Sequence, residues 1–244
     1  MPPRLFVDSP LTTAGDSLSL AAGPSRHVQV LRLQPGDAVT LFDGRGGEWL
    51  SEIIAIGRRS VDVRTLAHVP RDNELPIAVT LALAMAANDR MDALVEKSTE
   101  LGVAAIVPLV TERTVLRLAG ERAAKRQAHW QAIAIAACEQ CGRNRVPQIH
   151  PVQGLALWLS GLPAGSAAGS RLLLGWHHAV PWPQASAQQA GSLVLLSGPE
   201  GGFSEAEESD ARGHGFAVAS LGSRVLRADT APLAALAALA LGLA

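Results

Sequence analysis

Residues 196–231 read LSGPEGGFSEAEESDARGHGFAVASLGSRVLRADTA. An apolar, strand-like run from Ser192 to Ser197 empties into Gly198-Pro199-Glu200-Gly201-Gly202, and a second glycine-bearing loop, Leu221 to Arg227, follows a short helix and strand. Two loops that expose backbone on neighbouring strands form a ligand site. In a phosphate cradle the glycines lead straight into free helix N–H groups. Here Ser204 and Glu207 stand in capping-box spacing, so the chain itself satisfies part of that N-terminus. Glu205, Glu207, Glu208 and Asp210 would repel a pyrophosphate and suit a cationic ligand. Taken alone, GPEGG is equally compatible with a tight turn.

Outward from this stretch, strand and helix periods alternate. Ile77–Met85 is an apolar run; Met91, Leu94, Val95, Ser98 and Leu101 fall at helical spacing until Gly102 supplies a C-cap; Val103–Val110 is again strand-like. Strand, helix and strand with short links predict a βαβ unit and a parallel sheet. The pattern continues with a helix over 119–141, a strand over 146–150, a helix over 153–160 and strands over 171–176 and 192–197. Segments 161–170 and 178–191 are rich in Gly, Ala, Ser and Pro and read as loops.

The first 70 residues differ. Short runs at 4–8, 27–33, 38–42, 48–56 and 60–67, broken by Gln34-Pro35-Gly36-Asp37 and Asp43-Gly44-Arg45-Gly46-Gly47, predict a small β-barrel. The polar, proline-bounded stretch 71–76 predicts a linker, so two domains are expected, 1–70 and 77–244.

The whole pattern resembles the RsmE family of SPOUT methyltransferases. The resemblance rests on GPEGGFS with LGSRVLRADTA, and on DRMDALVEKSTELGV (89–103), Pro108, TERT (111–114), Trp130 and EQCGRNRVPQI (139–149) in the same order. RLFVD (4–8) and HVQVLRLQPGDAVTLFDGRGGEW (27–49) are similar to that family's RNA-binding domain. It implies an α/β fold: a PUA-like or OB-like barrel followed by a SPOUT domain whose chain beyond about residue 190 threads a deep trefoil knot. Nothing in the periodicity reveals a knot.

The resemblance also implies S-adenosylmethionine as methyl donor and N3 of a uridine in 16S ribosomal RNA, in the small ribosomal subunit, as acceptor. Gly198, Pro199, Glu200, Gly201 and Gly202 of the first loop, and Leu221, Gly222, Ser223, Val225 and Leu226 of the second, are then cofactor-binding residues, together with Leu174 and Thr230. Arg227 is the candidate for stabilising the uridine anion or a carbonyl, and Glu200 for ordering the loop or facing the cation. A homodimer and a cytoplasmic setting are expected. Ala87-Asn88 stands where many relatives carry Lys-Gly, which leaves no basic group there.

Charge adds little by itself, because the net charge is −1. Its distribution is more informative: seven basic residues within 111–145 meet three acidic ones, a local excess of +4. Arg4, Arg26, His27 and Arg32 in the first domain, with Arg113 and Arg143, are the candidate RNA contacts. The first domain's arginines are nevertheless matched by as many acids, and only Phe6, Phe42 and Trp49 offer rings for base stacking.

Other chemistries find less support. Cys138-Glu139-Gln140-Cys141 lies at a helix C-terminus, where the dipole opposes a thiolate, and no second ligand pair for zinc exists. His177-His178 reads as a loop pair, and no metal is expected. No signal peptide is visible, and the uncharged 231–244 stretch is shorter than a membrane span. Methylation of another RNA, and a non-enzymatic role in ribosome assembly, remain the alternatives.

Overall fold

A computed structural model describes residues 2–58, 60–86, 88–163, 171–175, 180–182 and 191–243. The chain divides into two compact units: Met1–Glu74 with Ile135–Val146, and Leu75–Ala134 with Pro147–Ala244.

The first unit contains β1 (Arg4–Phe6), β2 (Ser17–Ser19), α1 (Ala22–Val30), β3 (Ala38–Phe42), β4 (Glu48–Ile56) and β5 (Val61–Val69). Its sheet runs β1-β3-β4-β5-β2, parallel between β1 and β3 and antiparallel elsewhere. Alternating side chains such as Val61, Val63 and Thr65 point inward, and the core joins Leu5, Val39, Leu41 and Ile53 to Val28 of α1. The strand expected at 27–33 is instead the end of α1 and its following turn. Pro24 sits in the helix's first turn, where its missing N–H costs nothing, and Ser25 and Val28 share the buried face.

Residues 135–146 bind this unit through charge. Arg4, 7% exposed, pairs with Glu48 and donates to the carbonyl of Arg143 at 3.1 Å; Arg143, 3% exposed, forks onto Glu74. Breaking one partner of such a buried pair typically costs about 3–5 kcal/mol, because the other charge stays desolvated. Cys138 is buried here, and desolvation pushes its thiol up to about 12, so it is no thiolate at neutral pH.

The second unit is built on a parallel sheet of β6 (Ala78–Ala84), β7 (Ala105–Val110), β8 (Gln148–Ile149), β9 (Gln153–Gly154), β10 (Arg171–Leu174), β11 (Val180–Pro181), β12 (Ser192–Ser197) and β13 (Ala217–Ser220). Strand order is β11-β13-β10-β12-β6-β7-β8, and β9 also pairs with β7. Val79, Leu81, Ala82, Leu83 and Ala84 of β6 are all buried, the continuous apolar run expected of a strand covered on both faces. The helices are α2 (Asn88–Glu100), α3 (Gly120–Cys141), α4 (Leu155–Ser160), α5 (Glu205–Gly213) and α6 (Thr230–Leu243). Residues of α3 up to Ala134 belong to this unit and the rest to the first.

The predicted βαβ unit is present, with Gly102 at φ +91 closing α2. Segments 164–170, 176–179 and 183–190, with His177-His178 among them, and Ala87 lie outside the described residues. Helix α6 is apolar on every side, buries Ala235, Leu236 and Leu239, and borders with α2 a groove of ≈ 650 Å³. Among the described residues no helix is long and apolar enough to cross a membrane.

Candidate active site

The C-terminal ends of β10, β12 and β13 lie side by side in the second unit. In open parallel sheets this edge is where ligands bind, because the loops leaving neighbouring strands diverge there. A cavity of ≈ 760 Å³ opens at it, within the range of small-molecule sites. Its wall takes Leu173 to Gly175 from the end of β10, Ser197 to Phe203 from β12 onward, Val218 to Leu221 from β13, and Arg224 to Ala228 from the second loop.

The GPEGG loop lines the cavity, with the Phe203 ring packed against Gly198. A Cβ on Gly198 would meet the Phe203 ring at 3.0 Å, and Gly202 adopts φ +70, so both positions call for glycine. Ser204 then starts α5 with the expected capping box: its hydroxyl accepts the Glu207 N–H at 3.4 Å, and Glu207 Oε2 accepts the Ser204 N–H at 3.0 Å.

Two arginines from elsewhere in the second unit hold this loop. Arg90, at the start of α2, donates to Glu200 Oε1 at 3.2 Å. Arg113, in the turn after β7, donates through Nη1 to the carbonyls of Gly201 at 2.9 Å and Phe203 at 3.3 Å. That turn is itself rigid, since Thr111 and Thr114 are buried with their hydroxyls 2.7 Å apart.

The second loop is more open. The Ser220 hydroxyl donates to the Gly222 carbonyl at 2.9 Å, and Gly222 takes φ +121. Arg224 and Arg227 are exposed and make no ion pair among the described residues. The cavity's acids are already engaged, Glu200 by Arg90 and Glu208 by Arg212 at 2.8 Å. Unpaired charge at the cavity is therefore positive, which suits an anionic partner beside the ligand.

Chain-long comparison with known proteins gives this cavity a context. Residues 73–240 match the model of an RNA methyltransferase domain and residues 25–66 that of an RNA methyltransferase PUA domain. Ribosomal RNA small subunit methyltransferase E of Synechocystis sp. is 34% identical over 91% of this chain and 72% of its own length. The chain belongs to the ribosomal RNA small subunit methyltransferase E family. The crystal structure of the Neisseria gonorrhoeae member bound to S-adenosyl methionine is 39% identical, with a TM-score of 0.91 over 98% of this chain and 96% of that one. A Legionella pneumophila methyltransferase in complex with SAM gives 35% identity and a TM-score of 0.89, over 98% and 97%.

Within this family member, Leu174, Gly198 to Gly202, Leu221, Val225 and Leu226 line the cavity, as do Glu200 and Arg227. Gly222 and Ser223 shape the second loop without lining it, and Thr230 borders the α2/α6 groove instead. Of the arginines expected to meet RNA, Arg26 and Arg32 are exposed with the neighbouring His27, Arg113 braces the GPEGG loop, and Arg4 and Arg143 are buried in ion pairs. Sequence reasoning missed Arg90, Phe203 and Val218 to Ser220. The end of β13 was not legible, because its place at the cavity follows from strand order, which periodicity does not carry.

Proposed function

We propose that this chain transfers a methyl group from S-adenosylmethionine to N3 of a uridine in 16S ribosomal RNA of the small ribosomal subunit. The observation that carries the reading is one cavity enclosed by GPEGG and LGSRVLR, in a family member 39% identical to a relative bound to S-adenosyl methionine.

The residues present fit that cofactor. The N–H groups of Glu200, Gly201 and Leu221 supply hydrogen-bond donors for a heterocycle, and Leu174, Val218 and Leu226 supply apolar wall. When bound, the cofactor supplies an electrophilic methyl on a sulfonium. The chain's contribution is then positioning and electrostatics. Uridine N3 must lose a proton, and negative charge spreads to the neighbouring carbonyl oxygens. Arg227, exposed at the cavity and unpaired among the described residues, stabilises that charge. Arg224, beside it, offers a second cation to the RNA.

In this reading residues 1–70 bind RNA through Arg26, His27 and Arg32, residues 71–76 link, and residues 77–244 carry the cofactor site, the knot and a homodimer interface built on α6. The two free cysteines accord with work in the cytoplasm. Mass spectrometry of 16S ribosomal RNA from a deletion strain tests the reading. One methyluridine should vanish, return with the wild-type gene, and stay absent with Arg227→Ala. An unchanged methylation pattern overturns it.

A further inference from the structure

We propose that the Glu112-Arg113 turn is a clamp that sets the shape of the GPEGG loop, with Arg113 as a positioning residue for the cofactor rather than a contact to RNA phosphate. The proposal rests on the reading above that this cavity takes S-adenosylmethionine. Two consecutive residues grip the loop and the helix that follows it. Arg113 Nη1 donates to the carbonyls of Gly201 and Phe203, and the Glu112 N–H donates to Glu207 Oε1 at 2.8 Å. The other oxygen of Glu207 already accepts the Ser204 N–H. One carboxylate thereby ties the turn after β7 to the first turn of α5, and one guanidinium ties it to the loop between.

Each end of the clamp is itself anchored. Behind the turn, the buried Thr111–Thr114 hydroxyl pair and the Thr111 N–H to Thr114 Oγ1 bond at 3.0 Å fix its conformation. Behind the loop, Phe203 packs against Gly198. With both ends anchored, the clamp prepays the conformational entropy that cofactor binding would otherwise have to spend on ordering residues 198–204. Gly201 completes it, because a Cβ there would already touch Arg113 Cβ at 3.4 Å. An arginine donating to carbonyls is also charge-assisted, so its loss is felt more than that of a neutral donor.

The test uses the full-length protein and two variants, Arg113→Ala and Glu207→Gln. Hydrogen exchange without cofactor should show residues 201–204 exchanging faster in both, with β6 and β12 protected as in wild type. Calorimetry should show the dissociation constant for S-adenosylmethionine rising about tenfold in Arg113→Ala, with a smaller rise in Glu207→Gln, whose amide oxygen still accepts one N–H. Binding to a 16S fragment should keep its salt dependence. Unchanged exchange at 201–204, or cofactor affinity within twofold of wild type, overturns the clamp. A salt slope lower by roughly 0.7–0.9, the loss of one phosphate contact, with cofactor affinity intact, makes Arg113 a phosphate clamp instead. Should Arg113→Ala not fold, the near-isosteric Glu207→Gln still decides the exchange test. Failure of wild type itself to bind the cofactor refutes the functional reading, while the exchange result still judges the clamp.

Discussion

Arg90 Nη1 lies 3.2 Å from Glu200 Oε1, so the first turn of α2 is joined to the GPEGG loop by an ion pair at the mouth of the cavity. Arg90 also borders the α2/α6 groove. The pair is about half exposed on both sides, 47% and 42%, and an exposed pair contributes little to stability. Its value is geometric. Glu200→Gln should leave the melting temperature within about 2 °C of wild type, as a surface change of a few tenths of a kcal/mol implies. Cofactor affinity should fall a few-fold. Equal affinity in calorimetry would reduce the pair to surface decoration.

Gly201 separates two explanations of the same glycine. If only ligand approach demanded it, alanine and valine would both harm binding. Here an added Cβ meets Arg113 side-chain atoms at 3.4 and 3.5 Å, which is ordinary contact. Gly201→Ala should therefore bind cofactor nearly as wild type does, whereas the branched Gly201→Val should displace Arg113 and lose affinity at least tenfold. Titration of the two folded variants decides.

Arg227→Ala should lower turnover far more than cofactor affinity, because its interaction strengthens only as N3 loses its proton. Loss of one such contact costs roughly 10²–10³ in rate, about 2–4 kcal/mol. Single-turnover rates at saturating RNA test this. A full rate with weakened RNA binding would assign Arg227 to phosphate.

Helix α6 presents apolar side chains all round, with Leu241 82% exposed, and the α2/α6 groove beside it is open. A homodimer covering this face is expected. Light scattering should give twice the 25.4 kDa chain mass at micromolar concentration, and Leu233→Glu should shift it toward monomer. A wild-type mass that stays monomeric on concentration would contradict the interface.

Glu139 carries a pH signature. Burial raises its carboxyl above the usual range, outweighing the Phe6 N–H it accepts at 3.0 Å and the nearby His27 and Arg4. A raised folded-state value means that the native state holds the proton more tightly than the unfolded chain. Ionised Glu139 therefore subtracts stability above its folded pKa, and the penalty disappears as pH falls below the unfolded value. Glu139→Gln keeps an oxygen for Phe6 and should melt higher than wild type at pH 7, with the gap closing in acid. Equal melting curves at both pH values would deny the penalty.

The helical register of α2, the Gly102 cap, the Ser204–Glu207 capping box and the apolar run of β6 were legible in the sequence, because each is decided within a few residues by backbone geometry and side-chain period. Residues 27–33 were misread for the same kind of reason. His27-Val28-Gln29-Val30-Leu31 alternates like a strand only because Val30, 69% exposed, is an apolar residue on the outer face of α1. Which charges meet could not be read at all. Arg4 with Glu48, Arg113 with the carbonyls of Gly201 and Phe203, and Arg90 with Glu200 are separated by 44 or more positions. An arginine carries the same charge and reach in every sequence context, so whether it faces solvent, a carboxylate or a loop carbonyl is settled by the sheet that brings the segments together. Local chemistry wrote the two loops that bound the cavity; strand order placed them beside each other and chose the residues that hold them.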